Sequence, residues 1–363
     1  MKSLRKAGYC HSELTILFLV LSAITGCAGT AVVRVKPAAN VILMIGDGMG
    51  PEQVKAAECF KGKPLFFQSW RCKASVDTAS ANSNITDSAA AATAMATGIR
   101  VNNGVISLAI PGGSNELFTA LEYFKEKGKL TALVTSDSIT GATPAAFGSH
   151  ESSRGGQAGI AGDYLSQTRP NVLFGGGGLN ITAALAAGYL VVTNRDGLIH
   201  LNAGITTNVA GIFGKGSLPY EYDGAGSFPH LSEMTRRALD ILEKGSSGFF
   251  LLVEGGNIDH ACHANDLTRM IPDVLQFEDT AAVVMTWAKK RSDTLIIITA
   301  DHETGGLKVV KNNGSGKNPT VEWTNKKKGH TGVKVPLWAW GVNSDSTTPE
   351  MSNTNIFQIM VQP

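Results

Sequence analysis

The fold is decided first by residues 41–50, which read VILMIGDGMG. Residues 41–45 form a short apolar run with β-branched side chains, the pattern of a strand that is buried on both faces. The run passes directly into Gly46, Asp47 and Gly48, so a carboxylate follows the strand in a tight turn. An acidic turn after a buried strand is typical of the ligand-binding edge of a parallel sheet, because loops and helix N-termini converge there.

Similar apolar runs recur along the chain and predict further buried strands at Leu130–Thr135, Val172–Phe174, Phe249–Val253, Leu295–Thr299 and Val335–Trp340. Helical patterns between them predict helices over Ser88–Ala96 closed by Gly98, Glu116–Lys127 closed by Gly128, Leu231–Glu243 closed by Gly245, and Leu267–Lys290. Loops are expected at Ser107–Ser114, Gly155–Gly162, Asn194–Ser227 and Lys311–Lys328. The alternation predicts an α/β fold, a three-layer sandwich with a central, mostly parallel β-sheet flanked by helices.

The composition excludes several classes of protein. The 363 residues are 43% hydrophobic and 17% charged, which is enough for a large core and too apolar for a disordered chain. Five cysteines are too few for a disulfide-rich scaffold of this length. Removing residues 1–26 takes away three basic residues and one acidic residue, so the rest is nearly neutral. No nucleic-acid partner is therefore expected.

The N-terminus has the pattern of an export signal. Lys2, Arg5 and Lys6 precede the apolar run at residues 14–24, which is too short to span a bilayer comfortably and suits the core of a secretory signal. The run ends in residues 24–27, which read ITGC and resemble a bacterial lipobox. An ordinary cleaved signal, whose cleavage site happens to contain a cysteine, is the alternative.

These features predict the domain organisation and the location. We expect residues 1–26 to be a lipoprotein-type signal peptide, residues 27–37 to be a lipidated Cys27 with a short tether, and residues 38–363 to be a single domain. The chain would then be exported to the periplasm or cell envelope and held on a membrane by the lipid on Cys27. In such an oxidising compartment Cys59 and Cys72 could pair.

Acidic and histidine side chains gather where the predicted strands end. Residues 254–263 read EGGNIDHACH and follow one strand, whereas residues 301–303 read DHE and follow another. A single aspartate in such a place is often a helix cap, but several clusters together are hard to interpret as caps. Carboxylates with imidazoles suit Zn²⁺, and carboxylates with a hydroxyl suit Mg²⁺. Two metal ions about 4 Å apart can hold both reacting oxygens of an in-line phosphoryl displacement.

Ser88 is the candidate nucleophile for such a displacement. It begins a predicted helix and is followed by four alanines, so it lies where free backbone N–H groups favour a phosphate. No histidine lies nearby in the sequence to act as its base, and metal coordination is the simpler route to an alkoxide. Taken alone, Ser88 would be an ordinary N-cap; with the metals it becomes a nucleophile.

Six motifs resemble, in the same order, those of the alkaline phosphatase family. They are residues 41–50, 86–90, 142–147 with Arg154, 253–260 with His263, 299–302, and 329–332. The resemblance covers nearly the whole chain beyond the signal. It implies a single catalytic domain over residues 38–363 that hydrolyses phosphate monoesters of varied structure at alkaline pH.

The resemblance also implies a role for each site residue. The implied sets are Asp259, His263 and His330 for one zinc ion; Asp47, Asp301 and His302 for a second zinc ion beside Ser88; Asp47, Thr143 and Glu254 for magnesium; and Arg154 and His260 for the substrate phosphate. Ser88 would attack phosphorus and form a phosphoserine, with the two zinc ions activating the nucleophile and the leaving group. Arg154 can bind two phosphate oxygens at once, which favours monoesters.

The chain departs from the family pattern in two places. Many relatives have an acidic or histidine side chain near the third metal where this chain has Gly141, so we expect magnesium to bind more weakly here. Only 24 residues separate Thr304 from Gly329, where larger relatives carry an insertion. We therefore expect the surface that caps the family's dimer to be reduced, although a homodimer remains possible.

Three other functions fit the residues less well. A phosphodiesterase of the same superfamily typically has threonine as its nucleophile, and a sulfatase needs a proline and arginine pattern that is missing after Ser88. A lipoprotein that binds metal or phosphate without catalysis remains a third alternative.

Overall fold

A computed structural model describes residues 37–362 of the chain. The expected signal peptide, the Cys27 lipidation site and residues 27–36 of the tether lie outside these described residues. Among the helices that are described, none combines the length and the apolar character needed to cross a membrane.

The strands are β1 (Asn40–Gly46), β2 (Cys72–Asp77), β3 (Leu130–Thr135), β4 (Val172–Gly175), β5 (Leu190–Val192), β6 (Val209–Ile212), β7 (Phe249–Gly255), β8 (Thr294–Thr299), β9 (Glu303–Thr304), β10 (Leu307–Lys311), β11 (Thr320–Trp323), β12 (His330–Thr331), β13 (Val335–Gly341) and β14 (Glu350–Ser352). The α-helices are α1 (Pro51–Lys61), α2 (Ser88–Thr97), α3 (Ala120–Glu126), α4 (Ala142–Gly148), α5 (Gln157–Ser166), α6 (Ile181–Ala186), α7 (Arg195–Ile199), α8 (Leu231–Leu242), α9 (Asn257–Ala264), α10 (Leu267–Ala288) and α11 (Thr354–Val361).

Ten of these strands form one sheet in the order β14-β2-β13-β8-β1-β7-β3-β4-β6-β5. Strand β13 runs antiparallel to β2 and β8, and the other neighbouring strands pair in parallel. Helices α8 and α10 pack on each other and on β7, whereas α3 and α4 form a second group that also contacts β7. Strands β1, β7 and β8 are buried at every residue, as expected when helices cover both faces. The predicted α/β sandwich is confirmed.

The strand register places the predicted site residues along one edge of the sheet. Ile45 at the end of β1 pairs with Glu254 on β7 and with Thr299 on β8. Glu254 pairs in turn with Thr135 on β3. Four neighbouring strands therefore end at the same level, and the side chains that follow them meet above one edge of the sheet.

The six predicted strands are confirmed, and each of their ends lies within two residues of the expected position. Helix α3 begins at Ala120 rather than Glu116, because Thr119 caps it by accepting a hydrogen bond from Glu122 N. The expected loop at residues 155–162 is wrong, since α5 occupies most of it, and the expected loop at residues 194–227 contains α7 and β6.

The cysteines of the described part of the chain are free. Cys59 and Cys262 are buried, and Cys72 is half-buried. The sequence allowed a disulfide between Cys59 and Cys72, but both cysteines are free in the structure.

Candidate metal centre and nucleophile

Helix α2 carries the nucleophile candidate at its first position. All ten residues of the helix are buried, and seven of its side chains are alanine or serine, so neighbouring elements can pack closely on every side. Asp87 caps the helix, with Oδ1 accepting a hydrogen bond of 3.0 Å from Ala90 N. Gly98 closes it with a positive φ of 74°. Ser88 is thus held at the free N–H end of a rigid, buried helix.

Asp47, Asp301 and His302 form one group of potential metal ligands, which we name the inner cluster. Their ligand atoms lie within 4.8 Å of one another, and all three residues are buried. His302 Nε2 lies 3.4 Å from Asp47 Oδ1 and 3.2 Å from Asp301 Oδ2. Ser88 Oγ lies 3.1 Å from the same nitrogen. The inner cluster therefore adjoins the candidate nucleophile, as the sequence predicted.

Gly48 fixes the orientation of one carboxylate in the inner cluster. Its N–H donates a hydrogen bond of 3.1 Å to Asp301 Oδ1, which leaves Oδ2 free to face His302. Gly48 has a φ of +69°, and a Cβ at this position would lie 2.7 Å from Asp259 Oδ1. Only glycine can adopt this positive φ and also leave room for the Asp259 carboxylate.

Asp259, His263 and His330 form a second group, which we name the outer cluster. Asp259 is buried, whereas His330 is half-buried and His263 is exposed. His263 Nε2 lies 3.2 Å from both Asp259 Oδ2 and His330 Nε2. Asp259 and His263 are four residues apart on α9, so one helix face presents both ligands. The structure thus brings together the second predicted set as well.

The hydrogen bonds of the outer-cluster imidazoles define which ring nitrogen is free. His263 Nδ1 lies 2.5 Å from the carbonyl oxygen of Lys328, and His330 Nδ1 lies 2.8 Å from that of Thr86. Because a carbonyl oxygen only accepts, each Nδ1 carries the proton and donates it. Each Nε2 faces Asp259. With Nδ1 bonded in this way, the neutral imidazole offers its Nε2 lone pair to a metal ion, which is the arrangement of a metal-binding histidine.

Thr304 connects the two clusters. Its hydroxyl donates to Asp259 Oδ1 and lies 3.2 Å from His302 Nδ1. Since the hydroxyl proton goes to the carboxylate, Thr304 Oγ1 accepts from His302 Nδ1–H, which leaves His302 Nε2 unprotonated. The His302 and His330 rings also stack, with centroids 3.5 Å apart.

Burial and the neighbouring charged groups set the pKa values of the cluster residues. Burial, reinforced by Asp301 and other carboxylates, raises the pKa of Asp47 well above its ordinary value. Burial and the nearby Asp259 raise the pKa of Asp301 to about 7. Burial lowers the pKa of His302, with His330 adding to the effect, so this imidazole is neutral. At Asp259 burial acts upward, but the hydrogen bond from His263 and the surrounding imidazoles outweigh it and lower the pKa.

The sequence predicts that Thr143 and Glu254 share a third metal ion with Asp47, and the Glu254 and Asp47 carboxylates are near enough for their charges to interact. Glu254 is 2% exposed and accepts a hydrogen bond from the Thr135 hydroxyl. Burial, followed by repulsion from Asp137, raises the pKa of Glu254 to about 8. The Thr143 side chain starts in the first turn of α4, with Gly141 at the N-cap position.

The donor sets fit metal ions. Asp47 Oδ1, Asp301 Oδ2 and Thr143 Oγ1 are buried and have no hydrogen-bond partner among the described residues. Uncompensated oxygens of this kind cost free energy, and a cation would remove the cost. At the inner cluster, moreover, an unprotonated nitrogen and oxygens of two carboxylates lie within 4.8 Å of one another. The imidazole-containing clusters suit zinc, and the oxygen-only third set suits magnesium.

Arg154 and His260 lie at the open side of the site. Arg154 Nη1 lies 3.3 Å from Asp87 Oδ2, and the Arg154 side chain is 43% exposed. The residue that caps the nucleophile helix therefore also holds the predicted phosphate-binding arginine. His260 lies on α9 with its side chain 38% exposed, and its Nε2 is 3.6 Å from Asp137 Oδ2.

Three positions that support the site residues were not themselves predicted as site residues. Asp87 lies within the motif at residues 86–90, and an aspartate before a helix signals an N-cap. Asp137 follows β3 by two residues, so the strand-end rule that found Asp47 applied to it as well. Thr304 gave no usable signal, because its role depends on hydrogen bonds to Asp259 and His302 that only the folded chain forms.

The family model for alkaline phosphatase matches residues 38–184 and 175–328. The chain is 38% identical over 291 residues to alkaline phosphatase 3 of Bacillus subtilis (strain 168), a match covering 74% of this chain and 62% of that protein. It is 36% identical over 295 residues to alkaline phosphatase 4 of the same organism, covering 75% of this chain and 63% of that protein. The match thus spans less than two thirds of the length of either relative.

A solved structure gives a longer match. Alkaline phosphatase from the Antarctic bacterium TAB5 superposes with a TM-score of 0.81 at 27% identity, covering 91% of this chain and 98% of the other. A mutant of that enzyme has Mg bound in a site named M3. The family model matches well over half of the chain, and the matched residues include Ser88 and every cluster residue except His330. The chain belongs to the alkaline phosphatase family.

Proposed function

We propose that this chain hydrolyses phosphate monoesters of varied structure at alkaline pH through a phosphoserine intermediate on Ser88. The observation that carries the proposal is the position of Ser88 Oγ, 3.1 Å from His302 Nε2 at the edge of the inner cluster. The stacked rings of His302, from the inner cluster, and His330, from the outer cluster, bring the two clusters next to each other. A nucleophile beside two metal-ligand clusters is the arrangement that in-line phosphoryl transfer requires.

The metal complement we propose is two zinc ions, one in each cluster, and one magnesium ion at Asp47, Thr143 and Glu254. When bound, the zinc ions would lower the pKa of the Ser88 hydroxyl and stabilise the leaving oxygen. The protein's own part is to hold His302 in one tautomer through Thr304, and to keep Asp301 Oδ2 turned inward through Gly48. The N-terminus of α2 adds N–H groups that favour the transferred phosphate.

Arg154 is proposed to select monoesters. Its exposed guanidinium is anchored to Asp87 through Nη1, so its remaining N–H groups are free to bind two terminal phosphate oxygens. A diester has one fewer charged oxygen to offer. His260, at the same rim, is proposed to contact the phosphate from the other side.

The test is hydrolysis of p-nitrophenyl phosphate against bis(p-nitrophenyl) phosphate by the chain without residues 1–26, with zinc and magnesium supplied at alkaline pH. We expect a large preference for the monoester, and loss of activity with a chelator followed by recovery when the metals return. A preference for the diester would favour the phosphodiesterase alternative. Metal binding with no hydrolysis of either ester would favour the non-catalytic alternative.

We also propose that the chain is exported and held on a membrane by a lipid on Cys27. Labelling cells with a fatty-acid analogue should tag the wild-type chain, and Cys27→Ser should abolish the label. Cys10→Ser is the matched control, because Cys10 lies within the expected signal and should not affect lipidation. Labelling that survives in Cys27→Ser would contradict the anchor. Sedimentation of the released chain would show whether it forms a homodimer.

A further inference from the structure

Asp137 lies at the same level of the sheet as the metal-ligand candidates. Asp47 follows Ile45 by two residues, Asp301 follows Thr299 by two, and Asp137 follows Thr135 by two. Ile45 pairs with Thr299 and with Glu254, and Glu254 pairs with Thr135. Three aspartates therefore leave neighbouring strand ends in register.

The Asp137 carboxylate fills the space beside Gly141. A Cβ added to Gly141 would lie 3.2 Å from Asp137 Oδ2 and 2.9 Å from the Ser138 carbonyl oxygen. A larger side chain at position 141 would therefore compete directly with Asp137. The missing side chain at Gly141 therefore leaves room for the Asp137 carboxylate.

The backbone of Asp137 is fixed on several sides. Its N–H donates a hydrogen bond of 2.8 Å to Thr135 Oγ1, and Thr135 donates in turn to Glu254. Its carbonyl oxygen accepts a hydrogen bond of 2.8 Å from Gly176 N. A Cβ on Gly256 would lie 2.7 Å from Asp137 Cβ, so that glycine is needed for the fit. Asp137 has little freedom to leave this position.

The Asp137 carboxylate contacts Ser217 and faces His260. Ser217 donates a hydrogen bond to Oδ1, while His260 Nε2 lies 3.6 Å from Oδ2. Ser217 Oγ also lies 3.4 Å from His260 Nδ1, so the imidazole has polar partners at both nitrogens. On the other side, the Thr135 hydroxyl links the Asp137 N–H to the Glu254 carboxylate, since it accepts from the first and donates to the second.

We infer that Asp137 supplies, from the end of β3, the negative charge that position 141 does not provide at the third cation site, and that the same carboxylate positions His260 at the substrate rim. Asp137 is a positioning residue, since it acts through Glu254 and His260. The inference rests on the proposed function, because it assumes the third cation site. It replaces the expectation that Gly141 weakens magnesium binding at that site.

The first experiment measures Mg²⁺ affinity by titration calorimetry on the zinc-loaded chain. We expect Asp137→Asn, which keeps the shape and removes the charge, to weaken Mg²⁺ binding by about tenfold or more. Asp196→Asn is the matched control, because Asp196 also pairs with a histidine, His200, but is 86% exposed on the surface. Equal Mg²⁺ affinity in the wild type and Asp137→Asn would overturn the inference.

Ser217→Ala is the second variant for the Mg²⁺ titration if Asp137→Asn does not fold. It keeps the charge and removes the hydroxyl that holds the carboxylate, so we expect a smaller loss of Mg²⁺ affinity, about threefold. No loss would again count against Asp137. If the wild-type chain itself binds no Mg²⁺ beside zinc, the third site of the proposed function fails, which is a different result from equal binding in the two chains.

A double-mutant cycle tests the link to His260. The readout is inhibition by inorganic phosphate in the wild type, Asp137→Asn, His260→Asn and the double variant. If Asp137 acts on phosphate through His260, the double variant should bind phosphate no more weakly than His260→Asn alone. Fully additive losses would remove the positioning role.

Discussion

The two metal-ligand clusters contain the same kinds of side chain in different environments. Every residue of the inner cluster is buried, and two of its carboxylate oxygens lack partners. The outer cluster reaches the surface at His263 and satisfies its atoms through mutual contacts and backbone carbonyls. The comparison indicates that the inner cluster depends on a cation for its stability, whereas the outer cluster is already organised to receive one.

The largest expected effect comes from the residue that adjoins the inner cluster. Ser88→Ala should lower kcat by at least about 10³-fold, because no other hydroxyl replaces the nucleophile. Zinc content should stay unchanged, since no ligand is removed. Ser232→Ala, in the first turn of α8, is the matched control. Kinetics with p-nitrophenyl phosphate and metal analysis check both parts, and wild-type turnover in Ser88→Ala would remove Ser88 from the mechanism.

Metal removal should destabilise the chain more at high pH than at low pH. The folded-state pKa of Asp301 is raised to about 7, above its ordinary value near 4, so the folded chain resists ionising this group. The free-energy penalty for ionising Asp301 is absent below the pKa of the unfolded chain. It grows as pH rises between the unfolded and folded pKa values, and it is complete above the pKa of the folded chain. We expect a loss of about 3 kcal/mol between pH 5 and pH 9 in the metal-free chain.

Urea unfolding at the two pH values measures that loss, and Asp301→Asn should reduce it. Zinc-loaded protein is the control, because a bound cation stabilises the ionised carboxylates. Equal stability of the metal-free chain at pH 5 and pH 9 would show that the inner cluster tolerates its charges without a cation.

The exposure of each cluster should determine whether added Zn²⁺ restores the activity of a variant that lacks one metal ligand. We expect His263→Gln in the outer cluster to lower activity by about 10²-fold, and a large excess of Zn²⁺ to recover much of it, because water can complete an open coordination site. Asp301→Asn in the buried cluster should not recover under the same titration. Recovery of both variants, or of neither, would contradict the distinction between the clusters.

The smallest effect is expected at the link between the clusters. Thr304→Val keeps the shape and removes the hydroxyl between Asp259 and His302, so zinc should bind about tenfold more weakly. Thr320→Val, at an exposed position of β11, is the control. Competition with a zinc-binding dye measures the affinity. An unchanged zinc affinity would mean that Thr304 does not link zinc binding in the two clusters.

The sequence was sufficient for the layers of the fold and for the metal-ligand candidates. Central strands such as β1 are continuous apolar runs, and their ends carry the acidic residues, so both could be predicted from local pattern. Helix α5 was missed because Gly155, Gly156, Gly159 and Gly162 favour a loop. A Cβ at Gly159 would overlap Glu151, so this glycine serves close packing inside a helix.

Contacts distant in sequence could not be predicted in the same way. Strand β2 is half-exposed and mixed in polarity, and it becomes a strand by pairing with β13, more than 250 residues later. The hydrogen bond from Thr304 and the position of Asp137 beside Gly141 likewise depend on the register of the sheet. Local patterns identify ligands, whereas the folded register identifies what holds them.

The full burial of α2 has a consequence for engineering a new substrate range. A library that varies residues 89–97 would consist mostly of chains that cannot accommodate the larger side chains, and selection would report folding rather than specificity. The exposed rim around Arg154 and His260 carries no such constraint. Diversity placed there, with α2 left untouched, gives the higher yield of folded variants per clone screened.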